Sequence, residues 1–350
     1  MSTHWKDYLI TQGATFSEQG EVSGFQLNDP VLPTTSPTLC VLTQQAILMA
    51  SGPDTQRFFQ GQLSCNMNTC DASTHSPGVL CTPKGRMVAS FRLLNTGNNY
   101  LIALHHSVVD AFTQTLSKYA VFFKSTLGQP ETPYLCLGLM GDTLISAVLS
   151  SLTETPPEGR QAVQLHRASW LLKSDNLRDA YELWLPENAL SYWWERLCPL
   201  MRPVTENIWS RRRIEAGVPQ VQSDFSEKYI PQHLNFPSLG YVSFKKGCYT
   251  GQEIVTRMQN LGQQKSRAYP LTCHTPIAIA PGTKLHNAQG KSVGEILESL
   301  PSDRDQQAAI AVIRIDAAED NDLVLDDERK SKVSIARIPY PIEPKAELQF

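Results

Sequence analysis

Between residues 244 and 257 the chain reads Phe-Lys-Lys-Gly-Cys-Tyr-Thr-Gly-Gln-Glu-Ile-Val-Thr-Arg. Gly247 and Gly251 bracket Cys248 and Tyr249, and glycine permits backbone conformations and close approaches that other residues resist. Gly251 stands just before a short helical pattern over 252–260, where free backbone N–H groups favour an anion. Lys246 sets a cation beside the thiol in sequence. A neighbouring cation and a helix N-terminus both stabilise a thiolate, so Cys248 is expected to be the most reactive cysteine of the chain. The competing reading is a tight loop with a buried thiol, free cysteine being commonly buried, next to a solvated lysine pair.

Other charged segments are less specific. Lys84 and Arg86 flank a turn, where solvation is the ordinary state and contact with an acidic partner the alternative. Arg211-Arg212-Arg213 is a short basic run that either touches RNA phosphate or forms a solvated helix face. His105-His106 and the remaining histidines show no metal-ligand spacing, and Tyr192-Trp193-Trp194 reads as core or as a partner surface.

The elements that must position these groups follow from composition and periodicity. A chain of 350 residues with 41% apolar content supports two or three packed domains. A net charge of −3 argues against a wholesale nucleic-acid binder, so stable nucleic-acid binding is not expected. The first 14 residues lack the cationic and apolar pattern of a signal peptide, and no stretch approaches the ~18 apolar residues of a membrane span. The eight cysteines are scattered without a Cys-x-x-Cys pair. That speaks against a disulfide framework and against a zinc or standard iron–sulfur ligand set, and it fits a reducing, cytoplasmic setting.

Residues 21–38 read as an irregular lead-in. Strands are expected at 40–42 and 46–50 around a Thr43-Gln44-Gln45 turn, then a helix that Asp54 caps, with Phe58, Phe59 and Leu63 on its apolar stripe. A hairpin at 79–81 and 87–94 turns at Pro83-Lys84-Gly85, a strand follows at 100–104 and a helix at 108–116. The same grammar recurs with strands at 134–140, 161–173 and 181–185 and helices at 142–149, 187–198 and 207–214. Residues 216–243 are too long for an ordinary connection, and such loops are often functional. Residues 266–342 hold many short strands between turn residues, which suits a small antiparallel barrel. The fold class is therefore α+β.

The eight residues Lys246-Gly247-Cys248-Tyr249-Thr250-Gly251-Gln252-Glu253 resemble the signature of the YgfZ family over their whole length. Similar matches occur at Phe59-Gln60-Gly61-Gln62-Leu63, Pro83-Lys84-Gly85-Arg86, Lys118-Tyr119-Ala120-Val121-Phe122 and Tyr229-Ile230-Pro231-Gln232-His233-Leu234-Asn235. They lie in order over about 40–260 and so cover most of the chain.

The family is similar to the folate-dependent aminomethyltransferase, or T-protein, of the glycine cleavage system. The resemblance implies three domains around a central folate cavity: an α+β domain from 1–50 with 130–262, a second from 51–129, and a C-terminal antiparallel β-barrel from 263–350. It implies tetrahydrofolate or a derivative as cofactor. It also implies a role in assembly or repair of iron–sulfur enzymes, including those that modify tRNA, with such enzymes or assembly proteins as partners.

T-proteins carry a run very similar to Arg213-Ile214-Glu215-Ala216-Gly217, whose Glu holds the pterin. Carried over, Glu215 accepts the two N–H donors of the aminopyrimidine edge; the alternative is a solvated residue at a helix end. Trp209 stands where the family has a Trp suited to ring stacking, and core packing is its other reading. Gln45 occupies the place of a second family Trp and departs from the pattern. Tyr249 and Arg257 complete the expected folate set; for Lys84 and Arg86 the folate glutamate tail is a further alternative to the solvated turn, which stays the leading reading.

One absence bears on activity. T-proteins place a catalytic Asp in the strand after the glycine turn, and here that strand reads Arg86-Met87-Val88-Ala89-Ser90 without a carboxylate. An accessory protein with Cys248 and Lys246 at its functional centre is the leading expectation, and a folate-dependent one-carbon transferase with another base is the alternative. Whether Cys248 is a nucleophile, a transient cluster or persulfide ligand, or a protected structural thiol stays open at this stage.

Overall fold

A computed structural model describes residues 4–26, 36–142, 144–303, 305–320 and 322–342. The chain opens with α1 (His4–Thr11) and the hairpin β1 (Ala14–Phe16) and β2 (Val22–Phe25). The expected irregular lead-in thus contains a strand, while its residues 27–35 lie outside the described residues. Then follow β3 (Thr38–Val41), β4 (Gln45–Ser51), α2 (Thr55–Gln62), β5 (Thr74–Cys81), β6 (Met87–Asn95), β7 (Tyr100–His105), α3 (Val109–Ala120) and β8 (Thr126–Gly128). Next come β9 (Tyr134–Met140), α4 (Ile145–Leu152), β10 (Ala162–Leu165), β11 (Ser169–Lys173), β12 (Ala180–Pro186), α5 (Leu190–Leu197), β13 (Arg202–Pro203) and α6 (Glu206–Glu215). After α7 (Gln252–Leu261) the chain forms β14 (Ser266–Cys273), β15 (Lys284–Asn287), β16 (Ser292–Asp303), β17 (Gln306–Arg314), α8 (Ile315–Asp320), β18 (Leu323–Leu325) and β19 (Lys332–Ile335).

Beside the two-stranded β1-β2 sheet, these strands make two larger open sheets and a closed barrel. The first sheet runs β10-β11-β12-β9-β3-β13, the second β5-β6-β7-β4-β8, and the barrel β14-β17-β16-β15-β18-β19. Every pairing in the second sheet and the barrel is antiparallel, and only β13 on β3 is parallel in the first. The short Thr43-Gln44 link sends β3 and β4 into different sheets. The expected division at residue 50 therefore falls inside β4, whose register with β7 starts at Gln45 opposite His105. Helices cover the outer faces: α1, α4 and α5 on the first sheet, α2 and α3 on the second. Leu9, Trp193 and Trp194 are core of the first layer, Phe58, Phe59 and Phe112 of the second, so Trp193 and Trp194 are interior.

The inner faces of both sheets and one side of the barrel meet in a third core, which is why β6 is buried along nearly its whole length instead of alternating. The segment 216–243 fills that junction. Val218, Val221, Phe225, Leu234, Phe236 and Leu239 are buried in it, so this long stretch is packed into the core, with 3-10 turns at Ser223–Phe225 and Pro231–Leu234. Asp54 precedes α2 without capping it; its carboxylate accepts the backbone N–H of Lys124 at 2.9 Å. Among the described residues no helix is long and apolar enough to cross a membrane.

Candidate functional site: a central pocket and an exposed thiol loop

Helix α6 carries Glu206, Trp209, Arg213 and Glu215. At 3.6 residues per turn, positions three and four apart share a face, and Glu206, Trp209, Ser210, Arg213 and Ile214 are the buried ones. Glu206 accepts the Thr43 hydroxyl at 2.8 Å and the Gln44 backbone N–H at 3.1 Å. It thereby fixes the turn that delivers Gln45 to the start of β4. Burial raises the Glu206 carboxyl to about 7 against those two donors. Trp209 packs against β9, where a Cβ on Gly138 would come within 2.6 Å of the indole. Only glycine there lets the ring in. Arg213 forms a fork on Glu298 of the barrel at 2.5 and 2.6 Å and donates to the Val218 carbonyl at 2.9 Å.

Gln45, Trp209 and Arg213 line one pocket at the meeting of the two sheets, with Ser90, Phe91 and Arg92 from β6, Asp175 from the turn after β11, and Gln220 and Tyr241 from the filling segment. Its volume is about 50 Å³. Arg92 is bound to Glu182 of β12, a contact that joins the two sheets, and Glu182 also accepts the Trp184 indole N–H at 3.0 Å. Asp175 faces His75 of β5 with 3.4 Å between Oδ2 and Nδ1. That is beyond the usual hydrogen-bond range, and the Asp175 Oδ2 and both His75 ring nitrogens are buried without a partner.

The thiol loop is a separate place. The Lys246 ammonium donates to the carbonyls of Gln60 at 2.8 Å, Cys65 at 2.9 Å and Leu63. The first and last of these, Gln60 and Leu63, are acceptors at the C-terminal end of α2, where a lysine is a natural partner, and Cys65 lies just beyond it. Burial pulls Lys246 down to about 8, so at neutral pH it keeps the three protons that the three carbonyls accept. The expected arrangement of Lys246 as the cation activating Cys248 gives way to a clamp, because the ammonium is directed into α2. Its ring neighbour is Tyr249, with 5.0 Å from Nζ to the centroid. Tyr249 is buried, its hydroxyl has no partner, and burial pushes that hydroxyl's pKa upward.

Gly251, at φ +84°, starts α7; a Cβ there would sit 2.5 Å from the Thr82 carbonyl oxygen. The thiol loop thus lies directly on the β5–β6 turn that carries Lys84 and Arg86. Of the eight cysteines Cys248 alone is exposed, Cys198 is half-buried and the rest are buried. Burial pushes the Cys65, Cys81 and Cys273 thiols to about 12.

The expected folate set therefore divides. Trp209 and Gln45 meet at the pocket. Tyr249 belongs with Lys246 and Cys248, and Arg257 is exposed along α7. Glu215 is 56% exposed and pairs loosely with Arg211 at 3.8 Å, outside the pocket lining. Helical geometry explains its place: six residues beyond Trp209 is a rotation of about 240°, away from the buried face. Asp175 and His75 carry no sequence signal of their own, lying in a turn and a strand with no motif around them. Arg213, whose run read as a solvated face, is buried; Arg211 and Arg212 are half-exposed.

Residues 265–338 match the family described as the CAF17 C-terminal beta-barrel domain. The tRNA-modifying protein YgfZ of Photorhabdus laumondii is 30% identical over 326 residues, covering 91% of this chain and 96% of that protein. The protein of the same name from Pectobacterium carotovorum is 29% identical, covering 88% and 92%, and that from Escherichia coli 28% identical, covering 87% and 94%. The crystal structure of the glycine cleavage system aminomethyltransferase T from Bartonella henselae superposes with a TM-score of 0.75 over 95% of this chain and 96% of that one. At 14% identity it shows the shared fold alone. With a signature loop wrapped on the β5–β6 turn, a barrel of the matched type and relatives alike along nearly their whole length, the chain belongs to the YgfZ family.

Proposed function

We propose that this chain is a cytoplasmic, folate-binding accessory protein that supports iron–sulfur enzymes, including tRNA-modifying ones. In this reading a tetrahydrofolate occupies the central pocket and Cys248 acts at the surface. The observation that carries it is the pocket itself: a packed indole, two flexible glutamines and an acceptor oxygen without a donor converge where the two sheets and the barrel meet. That combination suits a flat heteroaromatic ring with N–H donors. A volume of about 50 Å³ holds only one or two waters, so seating a bicyclic ring requires the half-buried Gln45 and Gln220 to swing aside. The name of the relatives supports the link to tRNA modification, and the fold neighbour is an aminomethyltransferase. The iron–sulfur part rests on the resemblance and on Cys248 being the thiol open to a partner or a cluster. A transferase would need a base from elsewhere, because β6 presents Ser90, Phe91 and Arg92 to the pocket and no carboxylate at the T-protein's own base position.

Titration with tetrahydrofolate, followed by intrinsic tryptophan fluorescence, tests the ligand. Saturable quenching is expected in the wild type and a much smaller signal in Trp209→Phe. A flat wild-type titration rejects the folate reading. Cys248→Ala is expected to fold normally yet fail to sustain iron–sulfur tRNA-modifying activity in cells; full activity in that variant rejects the thiol's role.

A further inference from the structure

The geometry points to Asp175, backed by His75, as the carboxylate that receives the N–H edge of the ring bound in the central pocket; this deepens the folate reading and rests on it. A pterin presents a 2-amino group beside a ring N–H, two parallel donors that match the two oxygens of one carboxylate. Elimination among the described carboxylates leads to Asp175. Glu182 is bound by Arg92 and Trp184, Glu206 by Thr43 and Gln44, Glu298 by Arg213, and Glu295 by Lys228, Tyr229 and Lys284. Glu215 lies on the exposed face of α6. Asp175 lines the pocket, and among the described residues its Oδ2 is the one buried carboxylate oxygen without a hydrogen-bond donor.

His75 explains how that oxygen is held. Its side chain is 1% exposed, it stands behind Asp175 outside the pocket lining, and its Nδ1 approaches to 3.4 Å without closing a hydrogen bond. A buried acceptor and a buried ring that face each other without closing a hydrogen bond are costly. A ligand that donates to Asp175 removes that cost, so the pair favours donor-edged rings over acceptor-edged ones. Asp175 is the binding residue, and His75 is a positioning residue that acts through it.

The test is a fluorescence titration of the full chain with two ligands, tetrahydrofolate and its 2-desamino analogue, which lacks the amino donor. In the wild type the analogue is expected to bind about tenfold to a hundredfold more weakly, the usual effect of a hydrogen bond to a charged group. Asp175→Asn should weaken tetrahydrofolate by a similar factor and bring the two ligands to near-equal affinity. His75→Gln should narrow the difference in the same direction, whereas Glu215→Gln should leave both affinities unchanged. Two results overturn the assignment while folate binding stands: Asp175→Asn keeping the full discrimination, or Glu215→Gln abolishing it. Equal binding of both ligands to the wild type also overturns it, and needs no variant to fold. A wild type that binds neither ligand removes the folate reading and the assignment together.

Discussion

The central pocket and the Cys248 loop lie on either side of one piece of backbone. Leu63 and Cys65 offer carbonyls to Lys246, while between them the Ser64 hydroxyl donates to the Tyr241 carbonyl at 2.6 Å and accepts from Val79 at 2.8 Å. Tyr241 is a wall of the pocket. On the pocket side two arginines are engaged across the sheets and the barrel, Arg92 on Glu182 and Arg213 on Glu298. On the loop side a single ammonium holds the backbone, and the thiol stands in solvent. The contrast separates two kinds of chemistry that one sequence signature merged. A small flat ligand needs the closed, polar junction, whereas a thiol that meets another macromolecule needs a rigid but exposed mount.

The largest expected effect is on the pocket side. Arg213→Met leaves the part-buried Glu298 without its guanidinium and should destabilise the fold by about 3 kcal/mol in denaturant unfolding, with the barrel loosened from α6. An effect below about 1 kcal/mol would mean that the junction does not depend on that fork.

Glu206 gives the pocket side a pH dependence. Its folded carboxyl titrates near 7 against an ordinary 4.5, so the folded state keeps a proton that the unfolded chain releases. The stability this group contributes is whole below about pH 4.5 and is lost as pH rises through 7, by roughly 3 kcal/mol at most. Glu206→Gln cannot ionise, so the unfolding free energy of wild type relative to variant should fall between about pH 5 and pH 8. A constant difference over that range contradicts the assignment.

The loop side should respond differently. Lys246→Met strands three carbonyls and should cost about 1–3 kcal/mol. With the loop released, alkylation of Cys248 should become faster, and folate affinity should stay within about twofold of wild type. Slower alkylation would restore Lys246 as the thiolate's activating cation. The smallest effect belongs to Glu215→Ala, an exposed site expected to change stability by less than about 0.5 kcal/mol and to leave ligand binding unaltered.

Much of the architecture was legible in the residues. The strand at 134–140, the hairpin about Pro83-Lys84-Gly85, the helices near 109 and 252 and the barrel all follow periodicity and turn chemistry. The signature loop marked Cys248 as the thiol to watch, and it is the exposed one. Helical spacing also held a clue to Glu215: a face that buries Trp209 and Arg213 turns Glu215 outward. The burial of the segment 216–243 was not legible, because its glycines, prolines and polar residues look like an open loop, while its scattered apolar side chains find cover only from two sheets and a barrel at once.

By itself the sequence determined the local elements, the family and the residue types available for chemistry, since these depend on neighbours a few positions away. Only the tertiary structure decided which charges are already engaged. Lys246 meets carbonyls more than 180 residues back, Glu206 a turn 163 residues away and Arg92 a carboxylate 90 residues on, while the Asp175 Oδ2 finds no hydrogen bond among the described residues, only the His75 ring at 3.4 Å. Whether a lysine activates a thiol or clamps a helix, and which carboxylate remains to greet a ligand, turns on burial and on partners that no local spacing encodes.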